Sequence, residues 1–230
     1  SDGKIVFIDN DSGAKVKRMN SDGSNVETLA SGLPLNGGLA IQNDGKILFT
    51  TIFNVMRMNS DGSNNEAVGP IFAFSRGVTV QPDGKIVVAE TNSNVVKRMN
   101  SDGTNVESFN EGTYKPFGIA IQSDGKIVFA DDHHNGINRM NSDGTNVEVL
   151  TSVNSPRGLV IESNGNILFV DEATNTVNRI ILTASSNRVP VTIDVTSLST
   201  STFDGNNFTI YPNPTKGLFT ITTESKVKVE

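Results

Sequence analysis

The chain has no cysteine and no tryptophan, and its two histidines stand side by side at His133 and His134. The missing cysteines exclude disulfides, thiol catalysis and cysteine-ligated zinc, and leave the compartment open, because secreted bacterial proteins often lack the residue too. Apolar runs stop at about five residues, far short of the ~18 that a membrane-spanning helix needs. One imidazole pair leaves at most one place for histidine acid-base chemistry. Basic residues are the minority, 19 Lys and Arg against 25 Asp and Glu, for a formal charge of −6 and a pI near 5.0. Nothing clusters the basic ones, so nucleic acid and anionic membranes are poor partners. No helical hydrophobic period runs for any length. There is no initiator Met and no signal-peptide opening, and the text starts inside a repeat at Ser1-Asp2-Gly3, so a trimmed N-terminus is expected.

What is abundant is self-similarity. Asp-Gly-Lys, or Asn-Gly-Asn in the last copy, places its glycine at Gly3, Gly45, Gly84, Gly125 and Gly165, at spacings of 42, 39, 41 and 40 residues. A second motif, Arg-Met-Asn-Ser-Asp-Gly-Ser/Thr-Asn, keeps step at Arg18 to Asn25, Arg57 to Asn64, Arg98 to Asn105 and Arg139 to Asn146. A third glycine does the same at Gly38, Gly77, Gly118 and Gly158, each opening a short apolar segment that ends in Gln42, Gln81, Gln122 or Glu162.

Each unit reads as four short strands: Gly-Leu-Ala-Ile-Gln, the Ile-Val-Phe run, the segment ending Lys-Arg-Met-Asn, and Val-Glu-Thr-Leu or its equivalent. Asp-Gly dipeptides between apolar runs predict hairpins with type I′ turns. The first two strands are apolar on consecutive positions and must be covered on both faces, whereas the fourth alternates as if one face were wet. Burial is thus expected to fall steadily from first strand to last. A radial blade does this, and a lone blade would be marginal, so stacking is obligatory. The expectation is an all-β fold: a β-propeller of four-stranded antiparallel blades over residues 1–184. About five blades are present, and a truncated C-terminal β segment follows.

The order Phe-x-Asp, then Arg-Met-Asn-Ser-Asp-Gly-Ser-Asn, then Pro-x-Gly-Leu-Ala-Ile resembles the YWTD repeat of the low-density-lipoprotein receptor, and is similar to NHL repeats and gluconolactonase-type propellers. The resemblance covers about four fifths of the chain and implies a six-bladed, TolB-like propeller. Ile-Phe or Leu-Phe stands where that family has Tyr-Trp, and Thr51 and Glu90 replace the aspartate found at Asp9, Asp131 and Asp171. Six units at the mean spacing of 40.5 residues need 243, so about one blade, including the first unit's inner strand, is expected upstream, with five blades the competing count.

After Arg179 the repeat decays into a Ser/Thr-rich linker over residues 185–206. Residues 207–230 follow, with Tyr211-Pro212-Asn213-Pro214 and then Gly217 ahead of alternating Phe219 and Ile221. This resembles the start of the C-terminal sorting domain of the type IX secretion system, stopping before its later strands. The resemblance implies the secretion machinery as a partner of the tail. It also implies a location outside, or on the outer surface of, a Gram-negative bacterium.

Strand alternation sorts the loops onto two faces. The near-verbatim Asp-Gly turns share one face and read as structural; the divergent loops share the other, where binding usually sits. Asp9, Glu90, Asp131 and Asp171 end equivalent second strands on that face. They could ring a metal or cationic ligand, Ca²⁺ best among ions, or cap turns inside their own blades. No other cofactor is indicated. His133 and His134, after Asp131-Asp132, could bind a transition metal, act as a base, or form an exposed polar loop. Arg76 and Arg157 precede inner strands and could grip a carboxylate, sugar acid or phosphate, with Tyr114 and Phe117 offering aromatic surface. Two functions fit: a secreted, non-catalytic module that binds a protein or glycan, or a metal-dependent enzyme like a lactonase or lyase. Near-identical blades speak for the first, since active sites need distinct residues converging from different blades.

Overall fold

A computed structural model describes residues 3–10, 13–110, 114–182, 209–212 and 219–222. The chain divides into two compact units, Ser1–Ala184 and Ser185–Glu230. In the first unit every regular element among the described residues is a strand, and neighbouring strands pair antiparallel in chain order.

Five sheets result. The first holds β1 (Ile5–Asp9), β2 (Lys15–Met19) and β3 (Glu27–Ser31). The second holds β4 (Leu35–Ile41), β5 (Ile47–Thr51), β6 (Val55–Met58) and β7 (Glu66–Val68). The third holds β8 (Ser75–Val80), β9 (Ile86–Glu90), β10 (Val95–Met99) and β11 (Glu107–Phe109). The fourth holds β12 (Pro116–Ile121), β13 (Ile127–Asp131), β14 (Gly136–Met140) and β15 (Glu148–Ser152). The fifth holds β16 (Pro156–Ile161), β17 (Ile167–Asp171) and β18 (Thr176–Ile180). Three blades thus have four strands and two have three. The first opens on the strand equivalent to β5, and the fifth ends on the equivalent of β6.

The core is not one mass but a set of seams between blades. Leu48 and Val55 meet Val78, Ile86, Val88 and Met99 between the second and third blades, with Phe72 from the connecting loop wedged among them at 1% exposure. Val87, Ala89 and Val96 meet Ile119, Ile127, Phe129 and Met140 at the next seam, and Val128, Ala130 and Ile137 meet Ile167 and Phe169 at the one after. Each blade buries its apolar faces only against its neighbours, at about 1.5–3 kcal/mol per large side chain.

Burial does not fall steadily outward. The second strands β5, β9 and β13 are buried at every position, while the inner strands β4 and β8 contain exposed residues. Inner strands line an axial opening, which wets one edge of them, whereas second strands sit wholly between blades. The turns differ from expectation too. At Gln42 to Lys46 the Gly45 amide donates to the Gln42 carbonyl at 2.9 Å and the Gln42 amide to the Lys46 carbonyl at 2.8 Å. Positive φ falls on Gly45, at 84°, and not on Asp44, so this is a type I turn with a glycine bulge, not type I′.

The second repeated motif locks the rim. Asp102 Oδ1 accepts the Thr104 amide at 2.9 Å and the Thr104 hydroxyl at 2.6 Å, and Asn105 takes φ of 50° beside it. Arg98 binds Glu107 of its own blade and reaches the Ser142 carbonyl in the next copy of the motif; Arg57 does the same with Glu66 and the Ser101 carbonyl, at 2.8 Å. With Arg18 reaching the Ser60 carbonyl in the same way, the repeated octapeptide recognises its own neighbour across the first three seams.

In the second unit, β19 (Thr209–Pro212) pairs antiparallel with β20 (Phe219–Thr222). Tyr211 and Pro212 fall in the first of these strands. Asn213, Pro214, Gly217 and the 185–206 linker lie outside the described residues.

Candidate functional site

The site is built by three glycines and four bulges. Inner strands β4, β8, β12 and β16 lie side by side in chain order, and a Cβ on Gly38 would stand 2.6 Å from the Arg76 carbonyl oxygen. A Cβ on Gly77 would meet the Phe117 carbonyl at 2.4 Å, and one on Gly118 the Arg157 carbonyl at 2.3 Å. Only glycine admits this approach. At the same place the pairing of each inner strand with its second strand slips: between Leu35 and Leu39, Ser75 and Gly77, Pro116 and Ile119, and Pro156 and Leu159. Such bulges redirect side chains. The residues at the slip, Arg76, Phe117 and Arg157, gather around an axial cavity of about 280 Å³.

There the Arg76 guanidinium lies 4.8 Å, and that of Arg157 4.3 Å, from the Phe117 ring centroid, with the Lys115 ammonium at 5.8 Å. Contacts of this kind stabilise by about 0.5–2 kcal/mol each. Arg157 is also paired with Asp132, and with Glu172 at 2.6 Å; Lys115 reaches Asp132 at 3.1 Å. Burial pushes the Asp132 carboxyl upward, but the hydrogen bonds and charges of Arg157 and Lys115 outweigh it and hold the group below its ordinary range. Burial likewise works against the Arg157 charge, and Asp132 and Glu172 overcome it, raising its pKa. Arg76 is exposed and, among the described residues, pairs with no carboxylate. The mouth carries surplus positive charge.

The four acidic residues end the equivalent strands β1, β9, β13 and β17, and each has partners of its own. Asp131 is wholly buried and accepts the Lys115 amide at 2.9 Å, the His133 amide at 3.0 Å, the Asn138 side-chain amide at 3.3 Å and His134 Nδ1 at 2.7 Å. Glu90, 2% exposed, takes the Ala73 amide and pairs with Lys97 at 2.6 Å. Asp171 accepts the Ala173 amide at 3.0 Å, and Asp9 pairs with Lys17. Each is engaged inside its own blade or with that blade's own entrance loop. Among the described residues no three His, Asp or Glu side chains come together as a metal-holding group.

His134 is half exposed, its ring edge-on to Tyr114 at 5.4 Å and tilted against His133 at 4.5 Å. With Asn135, Asp171 and Asn178 it lines a polar groove of about 560 Å³ between the fourth and fifth blades. Tyr114 turns inward instead, edge-on to Phe129 at 5.3 Å. Phe117 shows only 8% of its surface. Phe117 presents no open face for stacking. Sequence reading singled out Arg76 and Arg157 separately. It missed Asp132 and Lys115, whose part shows only once the loop after β13 is laid beside β16.

No family model matches the chain, and no curated protein resembles it by sequence. Among solved structures it is similar to virginiamycin B lyase from Staphylococcus aureus, at 18% identity and TM-score 0.61, covering 79% of this chain and 67% of that one. It is similar to a chain of a nidogen/laminin complex at 19% identity and TM-score 0.71, covering 78% and 72%. A gluconolactonase from Xanthomonas campestris, XC5397, matches at 16% identity and TM-score 0.63, covering 72% and 66%. The chain is a β-propeller. It spans about two thirds of the length of these structures.

Proposed function

We propose that this propeller is a non-catalytic binding module, exported by the type IX secretion machinery and working outside, or on the outer surface of, a Gram-negative bacterium. The carrying observation is the cationic mouth of Arg76, Phe117 and Arg157: the inner-strand position before each hub glycine holds Gly37, Arg76, Phe117 and Arg157 in turn, chemically distinct residues on a repeated scaffold. The acidic groups that a metal enzyme would use are occupied by backbone amides and lysines of their own blades. The likeness to a nidogen/laminin complex, an assembly of proteins, agrees with a protein or glycan partner. The Tyr211-Pro212-Asn213-Pro214 and Gly217 pattern is the export signal, read by the secretion machinery.

A metal-dependent lactonase or lyase is the second reading, favoured by the names of two structural neighbours. Panels of immobilised proteins and glycans, run beside a lactone panel with and without Ca²⁺, Zn²⁺ and Mn²⁺, separate the two. Saturable binding without turnover supports the module, and metal-dependent turnover overturns it.

The ring closes with a sixth blade. A Cβ on Gly158 meets nothing within 4 Å, and Val160, Val170 and Val177 are 54%, 40% and 71% exposed, whereas Ala130 and Ile137, at the positions of Val170 and Val177 one blade earlier, are fully buried. This flank of the fifth blade has the chemistry of a seam.

A further inference from the structure

We infer that the hub mouth takes a carboxylate side chain, Asp or Glu, from an acidic loop of a protein partner; the inference rests on the binding-module reading and names its ligand. The first ground is charge. Arg76, Arg157 and Lys115 stand over one ring, and Asp132 and Glu172 answer only Arg157 and Lys115. Arg76 presents its donors with no carboxylate partner among the described residues, and a guanidinium fork matches a carboxylate with two parallel hydrogen bonds.

The second ground is size. A cavity of about 280 Å³ lies at the foot of the range of roughly 300–1,000 Å³ typical of small-molecule sites, so it holds one or two side chains and not an oligosaccharide. The third is the state of Phe117. Guanidiniums cover the ring and 92% of its surface is hidden, so it offers no platform to a sugar. Its work is to hold the two arginines in place. Glycines Gly77, Gly118 and Gly158 also line the cavity, and their bare backbone gives a partner loop room to come close.

The test is panning of a displayed random-peptide library on the protein, followed by calorimetry of the selected peptides. Enriched peptides carry an Asp or Glu whose change to Asn or Gln weakens binding about ten- to hundredfold, and Arg76→Gln weakens it by a similar factor. Raising salt from about 0.1 M to about 1 M, where the screening length falls to ~3 Å, reduces the affinity further. Arg76→Gln is the informative variant because it breaks no ion pair among the described residues, and its thermal midpoint serves as the folding control. Selected peptides without acidic residues, or acidic ones indifferent to Arg76→Gln, overturn this inference and leave the binding module standing. Tighter binding of galacturonate oligomers than of any peptide overturns the protein partner in favour of an acidic glycan. Metal-dependent lactone turnover at this mouth, abolished by Arg76→Gln, overturns both readings together.

Discussion

A Cβ on Gly118 would stand 2.3 Å from the carbonyl oxygen of Arg157, closer than any real side-chain carbon approaches an oxygen. The same relation joins Gly38 to Arg76 and Gly77 to Phe117, so three seams at the hub depend on a missing methyl group. Gly118→Ala should cost about 1–3 kcal/mol through forced separation of β12 and β16. Gly158→Ala, with nothing within 4 Å, should be near neutral in this chain. Urea denaturation of the two variants side by side checks the difference.

The rim gives a graded prediction. Arg98→Ala removes bonds to Glu107 and the Ser142 carbonyl and the contact with the Phe109 ring at 5.0 Å, for about 1–2 kcal/mol. Arg139→Ala leaves no carbonyl of a following repeat unpaired; it loses Glu148 and a 3.4 Å contact to Gln122. It should cost less by about 1 kcal/mol. Thermal midpoints of both variants at one salt concentration test the ordering.

Asp131→Asn replaces an acceptor of four hydrogen bonds in a fully buried site and should destabilise the fourth blade by about 2 kcal/mol or more. His134→Ala removes one half-exposed partner of the same carboxylate and should cost at most about 1 kcal/mol. Calorimetric unfolding of each variant decides whether Asp131 serves the loop or the histidine.

Stability should fall on acidification. Asp132 is depressed by Arg157 and Lys115 against the pull of burial, and Asp22, Asp61, Asp102 and Asp143 are depressed first by the side-chain hydrogen bonds of Ser24, Ser63, Thr104 and Thr145. A carboxyl lower in the folded than in the unfolded state stabilises above the unfolded value, about 3.9 for aspartate, and the contribution is lost as pH drops through the folded value. Denaturation midpoints should therefore be flat from about pH 7 to about pH 5 and decline below about pH 4, with a shallower decline in Asp132→Asn.

Much of this was legible in the text of the chain. The hub glycines, the Asp-Gly turns and the dry Ile-Val-Phe strands recur because every seam poses the same steric problem, and recurrence is what a sequence displays best. The turn type was not legible: Asp-Gly fits both a type I′ turn and a type I turn with a bulge, and only the dihedrals of Asp44 and Gly45 separate them. Nor was Phe72, which sits in a divergent loop yet fills a seam. The Arg76, Phe117 and Arg157 cluster was hidden for the opposite reason. It occupies one aligned position in three units, but its meaning lies in the difference between the copies, and only the circle of blades brings those differences together.

That circle is the central claim, and spin labels test it most directly. Thr28, Ala67, Ser108 and Val149 are exposed and occupy the same register position on outer strands β3, β7, β11 and β15, opposite Lys17, Met56, Lys97 and Asn138. With no native cysteine in the chain, pairs of cysteines can be placed there and labelled cleanly. Electron spin distances from Thr28 to Ala67, Ser108 and Val149 should stand in a ratio of about 1: 1.7: 2, as for neighbours around a six-fold axis. A ratio near about 1: 2: 3 would mean units stacked along a line, and the hub, its cavity and the clustered arginines would not exist.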